Sequence, residues 1–257
     1  MRRIFGRPAR GGAGHAIEPG VWERAERRLP FLAHLTAAEH QKLRALVVAF
    51  LDTKEFYGAH DLRVSNEMRL DIALQACVLI LHLGLEQYAD WVGIVVYPGD
   101  FVIPRQFMDE LGIVHEYDDA VLGEAWQGGP VLLSWFDAGE APSGVNVVLH
   151  EFAHKLDMRS GSADGMPGLA SGAARRTWRA AFEPAYSDFC RRVDSGEETL
   201  LDPYASEAPT EFFAVMSEAF FEAPDLLLRE YPAVYEQLRE FFGQDPGHPA
   251  QQNPAHS

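Results

Sequence analysis

The sequence predicts an α+β protein that is mainly helical, with a small mixed sheet next to one central helix. Three observations support this class. Most apolar residues recur at helical spacing, the block over residues 91–136 changes to short strand-like runs, and the central helix follows that block. Hydrophobic residues make up 47% of the 257 positions, which is enough to bury a full core.

Helices are predicted to dominate the chain before residue 90. A short helix is expected over residues 22–28, and the capping pair Thr36 and Glu39 opens a second one. Asn66 is expected to cap a third helix that runs to Leu83. Because this third helix is apolar nearly all round, we expect it at the centre of the core.

The sheet and the later helices are predicted from changes in the spacing of apolar residues along the chain. Three or four strands are expected to form the sheet, and the aromatic stripe over residues 178–189 is expected to pack in the core. The segments are an extended or looped connection at 54–64, strands at 91–97, 101–103 and 130–136, weaker strand character at 114–125, a loop at 159–171, a turn at 202–205, and helices at 209–222 and 234–242.

The central helix carries the motif His150-Glu151-x-x-His154. Residues four apart lie on one helical face, so both imidazoles can reach one metal ion, and Glu151 can act on the attacking water. Zinc suits this ligand type, and Ser143 or Gly144 is a candidate N-cap. The alternative, a solvated polar face, fits poorly with the apolar residues around the motif.

A catalytic zinc site needs a third protein ligand, which has to come from another element. Glu211 and Glu218 lie seven apart near one face of the next long helix, and spacing does not choose between them. Asp157 lies one turn beyond His154 and is expected to hold a ligand imidazole or to form a salt bridge with Arg159 or another basic side chain.

Composition limits the location and the partners. The formal charge of −16 opposes direct binding to nucleic acid or to an anionic membrane. Cys77 and Cys190 form no dense cysteine framework, and neither a signal sequence nor a membrane span is evident, so we expect a cytoplasmic protein. We expect a mobile segment at 1–20, a single domain at 21–246 and a disordered tail at 247–257.

Five stretches carry a further signal, at residues 123–130, 150–157, 202–205, 211–221 and 241–246. Together they resemble the Mlc titration factor A family of zinc peptidases. The resemblance implies a gluzincin-type, zincin-like fold similar to the catalytic domain of anthrax lethal factor. It also implies aminopeptidase-like activity on a peptide or protein substrate, with one zinc ion per chain.

The resemblance also assigns roles to individual residues. Tyr204 is the candidate oxyanion donor, with a packed turn tyrosine as the alternative, and His115 is either a removable fourth ligand or a structural residue. The implied zinc ligands are His150, His154 and Glu211, the implied general base is Glu151, and Glu218 is expected to support the ligands or the fold.

A second function of another class is also implied. The resembled family takes its name from binding the glucose repressor Mlc. This chain is therefore expected to bind a transcriptional repressor of that type, which would raise expression of sugar phosphotransferase genes. The alternative to the enzyme is a non-catalytic interaction module that sequesters the repressor.

Overall fold

The computed structural model describes residues 17–108, 114–136, 145–161 and 163–248, with only the backbone described for residues 103–108 and 114–120. These residues form a mainly helical α+β fold, which confirms the predicted class. The α-helices of the described chain are α1 (Pro19–Arg27), α2 (Ala37–Thr53), α3 (Asn66–Leu79), α4 (Val147–Asp157), α5 (Gly172–Asp194), α6 (Pro209–Glu222), α7 (Pro224–Glu230) and α8 (Pro232–Phe242). The strands are β1 (Glu55–Gly58), β2 (Gly93–Pro98), β3 (Phe101–Met108), β4 (Val114–Val121), β5 (Gly123–Ala125) and β6 (Val131–Trp135).

The predicted mixed sheet has four strands in the order β1-β2-β6-β5. The first three strands are parallel, and β5 pairs antiparallel with β6, with Glu124 opposite Leu132. β3 and β4 form a separate antiparallel pair. β5 therefore forms one edge of the sheet, and this edge lies beside α4.

The core joins the sheet to α3 and α4. Every residue of α3 from Met68 to Leu79 is buried, as its apolar sequence predicts. On α4, the Phe152 ring lies 5.8 Å from that of Phe50, 5.3 Å from Tyr88 and 5.7 Å from Trp91. This aromatic contact anchors the motif helix in the largest hydrophobic cluster of the described residues.

The predicted aromatic stripe on α5 packs in the core, as expected. Trp178 and Phe182 stack with their ring centroids 4.0 Å apart, and Phe213 of α6 meets the Trp178 ring edge-on at 5.7 Å. These contacts join α5 to the first half of α6. None of the helices in the described part of the chain combines the length and apolar character needed to cross a bilayer.

The structure corrects several predicted helix boundaries. Ser65, rather than Asn66, caps α3, because the Ser65 side chain accepts the Met68 N–H. The helix also ends at Leu79, four residues before the predicted end. The N-cap of α4 is Asn146 rather than Ser143 or Gly144, and α7 was not predicted.

A buried lysine fixes α4 to the turn between β5 and β6. Lys155 is 3% exposed, and its Nζ donates to the carbonyl oxygens of Trp126 and Gly129. The same ammonium lies 4.8 Å from the centroid of the Trp91 ring. Burial lowers the pKa of Lys155 to about 8, because the surroundings replace only part of its hydration.

We predict that Lys155→Met lowers the free energy of unfolding by about 1–3 kcal/mol, since it leaves two carbonyl groups without their donor. Urea denaturation of the metal-chelated protein measures this change. Arg176→Met is the control, because it removes an exposed cation from α5. Equal stability of the two variants would contradict the proposed anchoring role of Lys155.

Candidate metal centre

Two packed helices supply the side chains of the predicted site. α4 carries His150, Glu151 and His154, and α6 carries Glu211 and Glu218. All three α4 residues are buried, because the helix packs between the sheet and α6. The described part of the chain contains one group of three potential metal ligands, namely His150, His154 and Glu211.

The three donor atoms of this group form a small triangle. The distance from His150 Nε2 to Glu211 Oε2 is 3.0 Å, from His154 Nε2 to the same oxygen 3.2 Å, and between the two nitrogens 3.1 Å. Tetrahedral ligands held about 2.0–2.1 Å from zinc lie about 3.3 Å from each other. The triangle therefore has the size that a four-coordinate divalent ion requires.

The hydrogen bond at His150 Nδ1 determines which ring nitrogen is left to face the other donor atoms. The Nδ1–H donates to Glu218 Oε1 at 2.6 Å, because an ionised carboxylate only accepts. His150 Nε2, on the other side of the ring, faces Glu211 Oε2 and His154 Nε2. A proton on this nitrogen can bond to Glu211, and a metal ion in its place would meet all three donor atoms.

The pKa shifts of His150 and Glu211 also favour a positive charge between the three donor atoms. Burial lowers the pKa of His150, but the hydrogen bonds with Glu211 and Glu218 outweigh it and raise the pKa to about 10. Burial raises the pKa of Glu211, but its hydrogen bonds with His150 and His154 hold that pKa well below the usual value. Glu211 is therefore ionised, and its carboxylate stabilises positive charge on the imidazole side.

Glu218 also locks the start of α4. Its Oε2 accepts the Asn146 N–H at 2.6 Å, while Asn146 Nδ2 donates to Glu222 at 2.7 Å. The Asn146 side chain accepts the Leu149 N–H as the helix cap. The Glu218 carboxylate thus fixes both the orientation of the His150 ring and the N-terminal end of α4.

Glu151 lies against the edge strand. A Cβ atom on Gly123 would lie 2.5 Å from both Cγ and Oε1 of Glu151, so only glycine fits at this strand position. Glu151 Oε2 is buried without a hydrogen-bond partner among the described residues. Burial is the main cause that raises the pKa of Glu151, to about 7, although the two nearby imidazoles oppose it.

A cavity of about 820 Å³ opens over these residues. β5 forms one wall, and the turn before α6 forms another. Tyr204, in that turn, is 51% exposed, and its ring centroid lies 6.1 Å from that of His150. The cavity is therefore large enough for part of a peptide, and it brings Tyr204 next to the metal-ligand group.

The structure corrects the prediction for Asp157. Its Oδ2 accepts the Gly165 N–H at 2.8 Å and its Oδ1 accepts the Met166 N–H at 3.1 Å, so it holds a loop rather than a ligand imidazole. Arg159 instead lies 3.9 Å from Asp90. Sequence patterns gave no sign of the loop partners, because they are backbone groups.

His115 and Gly123 are the remaining residues to compare with the predictions from the sequence. His115 lies in β4, where its backbone is opposite Phe107, but its side chain is outside the described residues and its role stays a prediction. The close fit of Gly123 to Glu151 was not predicted. A glycine inside a strand was the available signal, because it often marks a close approach.

Comparisons with known proteins agree with this geometry. The family model described as glucose-regulated metallo-peptidase M90 matches residues 7–243. Mlc titration factor A of Klebsiella pneumoniae (strain 342) is 36% identical over 239 residues, covering 91% of this chain and 89% of that protein. Mlc titration factor A of Cronobacter sakazakii is 35% identical over 236 residues, covering 90% and 88%. An uncharacterized protein of Synechocystis sp. is 38% identical over 225 residues, covering 85% and 82%.

The family match covers nearly the whole chain and includes both helices of the metal-ligand group. A metallopeptidase family implies a metal cofactor, and the two imidazoles and one carboxylate are a donor set that suits one. The chain belongs to the glucose-regulated metallo-peptidase M90 family.

Proposed function

We propose that this protein is a zinc-dependent peptidase with aminopeptidase-like activity, in which His150, His154 and Glu211 hold one zinc ion. The observation that carries the proposal is the triangle of donor atoms with sides of 3.0–3.2 Å next to buried Glu151. Membership of a metallopeptidase family supports the same reading. The choice of zinc rests on the ligand types, because affinity order alone does not select a metal.

Glu151 is proposed as the general base. When bound, zinc polarises the scissile carbonyl and lowers the pKa of water. The Glu151 carboxylate takes a proton from the attacking water and passes it to the nitrogen of the leaving amine. Burial raises the pKa of Glu151, which favours return of the proton, whereas the positive charge of a bound zinc ion would favour the carboxylate that accepts it.

Tyr204 is proposed to stabilise the oxyanion that forms during attack. Its phenol O–H can donate a hydrogen bond at the cavity wall, and the ring lies beside His150. The turn at Pro203–Ser206 presents the ring, and Asp202 caps this turn by accepting the Tyr204 N–H at 2.9 Å. Such a donor acts mainly in the transition state, where the charge develops.

The edge strand is proposed to align the substrate. The Trp126 N–H donates to Pro130, and Leu122 accepts from Ser134, so alternate residues of this strand bond to β6. The same alternation directs the backbone groups of Gly123 and Ala125 away from β6, along the cavity wall. An extended peptide can therefore add to this edge as a further strand.

The charge of the cavity favours neutral or cationic peptides. Besides Glu151, Glu211 and Glu218, three further acidic residues line the cavity. No Lys or Arg lines it among the residues that the structure describes. A negative field attracts positively charged groups, such as the amino terminus of a peptide. The three acidic residues are Glu124, Asp202 and Glu207.

We expect one zinc ion per wild-type chain and almost none in Glu211→Ala after dialysis against a chelator, because that variant loses a donor atom. Glu218→Ala keeps all three donors, but loses the partner of His150 Nδ1, so its zinc affinity should fall about 10–100-fold. Metal analysis and chelator competition measure both effects. Glu236→Ala on α8 is the exposed control, and equal zinc loss in it would show a nonspecific effect.

We expect Glu151→Gln to lose at least about 100-fold in the rate of peptide hydrolysis while it retains one zinc ion, because it removes the base and no ligand. Hydrolysis of aminoacyl nitroanilides and unblocked peptides measures the loss, and metal analysis is the control. Hydrolysis at the wild-type rate would reject the assignment of Glu151.

The names of the relatives favour a second function, which is binding of a transcriptional repressor of the Mlc type. Mlc titration factor A is the name of relatives that match about nine-tenths of this chain. Such a role requires a cytoplasmic protein, and the net charge of −16 is compatible with docking to a basic partner. The protein would then act through its surface, independently of hydrolysis.

We expect Glu151→Gln to titrate an Mlc-type repressor from its operator as well as wild type, because the substitution is buried. A gel-shift assay with rising amounts of each protein measures the release. Wild-type protein that leaves the repressor on its operator would contradict this second function and would not affect the peptidase proposal.

A further inference from the structure

A buried contact connects the end of α4 to the start of α6. Asp157, 0% exposed, accepts the N–H groups of Gly165 and Met166 with its two carboxylate oxygens. The Gly165 carbonyl in turn accepts the Trp178 Nε1–H at 3.0 Å. The loop is therefore held on one side by α4 and on the other by α5.

Gly165 packs directly on the first residue of α6. A Cβ atom at this position would lie 2.5 Å from the carbonyl oxygen of Pro209 and 3.1 Å from its Cβ. Gly165 also has a φ of +81°, which other residues adopt only at a cost. Asp157, Gly165, Met166 and Pro209 form what we call the Asp157 clasp.

The Asp157 clasp lies close to the third donor of the metal-ligand group. Pro209 opens α6 and Glu211 lies two residues later, in the first turn of that helix. At the opposite end of the interface between α4 and α6, Asn146 and Glu218 form the other connection. The helices are thus joined at both ends, and the Glu211 end depends on the clasp.

We propose that the Asp157 clasp positions Glu211 for metal binding, an inference that rests on the proposed zinc site. Asp157, Gly165 and Met166 do not touch the metal. They set the position of Pro209, and through it the distance from Glu211 Oε2 to the two imidazoles. Disturbing the clasp therefore weakens zinc binding beyond its effect on folding.

The test compares two glycine substitutions of the same backbone type. Gly165→Ala places a methyl group against Pro209 in addition to straining a positive φ. Gly196→Ala, at the end of α5, strains a similar φ of +72° but meets no atom within 4 Å. The difference between these variants isolates the contact with α6.

Zinc affinity is measured by chelator competition, and the stability of the metal-free chains is measured by urea denaturation. We expect Gly165→Ala to bind zinc about 10–100-fold more weakly than wild type, and Gly196→Ala to stay within about twofold. The absorption spectrum of the cobalt(II)-substituted Gly165→Ala protein should differ from that of wild type, because Glu211 is displaced, whereas the spectrum of Gly196→Ala should match wild type. Zinc affinity within about twofold of wild type, or equal losses in both glycine variants, would overturn the proposal.

Asp157→Asn is a second test that keeps the size of the side chain. It removes one of the two acceptors, so we expect a smaller loss of zinc affinity in a chain that still folds. If Gly165→Ala fails to fold, unchanged zinc affinity in Asp157→Asn overturns the proposal. Failure of the wild-type chain to bind zinc, or unchanged affinity in Glu211→Ala, would instead reject the zinc site itself.

Discussion

The hydrogen bonds of Glu218 are the interaction on which the site depends. One oxygen accepts from His150 Nδ1 and the other from the Asn146 N–H, so a single α6 side chain holds a ring and a helix end of α4. Glu218 is itself buried, which strengthens both bonds. With His150 Nδ1 fixed as a donor, its Nε2 atom is held 3.0 Å from Glu211 Oε2, where it can share a proton or a metal ion with that oxygen.

Metal binding and packing of the two helices are consequently linked. Glu151, Glu211 and Glu218 place three carboxylates around two imidazoles in a region that is mostly removed from water. Buried charges are costly unless they are paired, and removal of one partner leaves the others uncompensated. A divalent cation at the donor triangle would offset this negative charge, and its binding energy would then also stabilise the contact between α4 and α6.

The sequence could predict features that depend on spacing within one element. The face shared by His150 and His154 follows from helical periodicity, and the burial of α3 follows from its composition. Spacing could not separate Glu211 from Glu218, because both reach His150 from the same helix, Glu211 at Nε2 and Glu218 at Nδ1. The partners of Asp157 were missed for a similar reason, since backbone groups leave no sequence pattern.

The last turn of α4 explains how one helix can serve chemistry and architecture together. Lys155 and Asp157 are buried charges of opposite sign, and they reach in different directions. The lysine holds the turn that follows β5, whereas the aspartate holds the loop that packs on the start of α6. The helix that carries His150, Glu151 and His154 is thus attached to the turn after β5 and, through that loop, to the start of α6. Since each attachment is a buried ionic group bonded to backbone atoms, loss of either one leaves backbone groups next to the cavity without a partner.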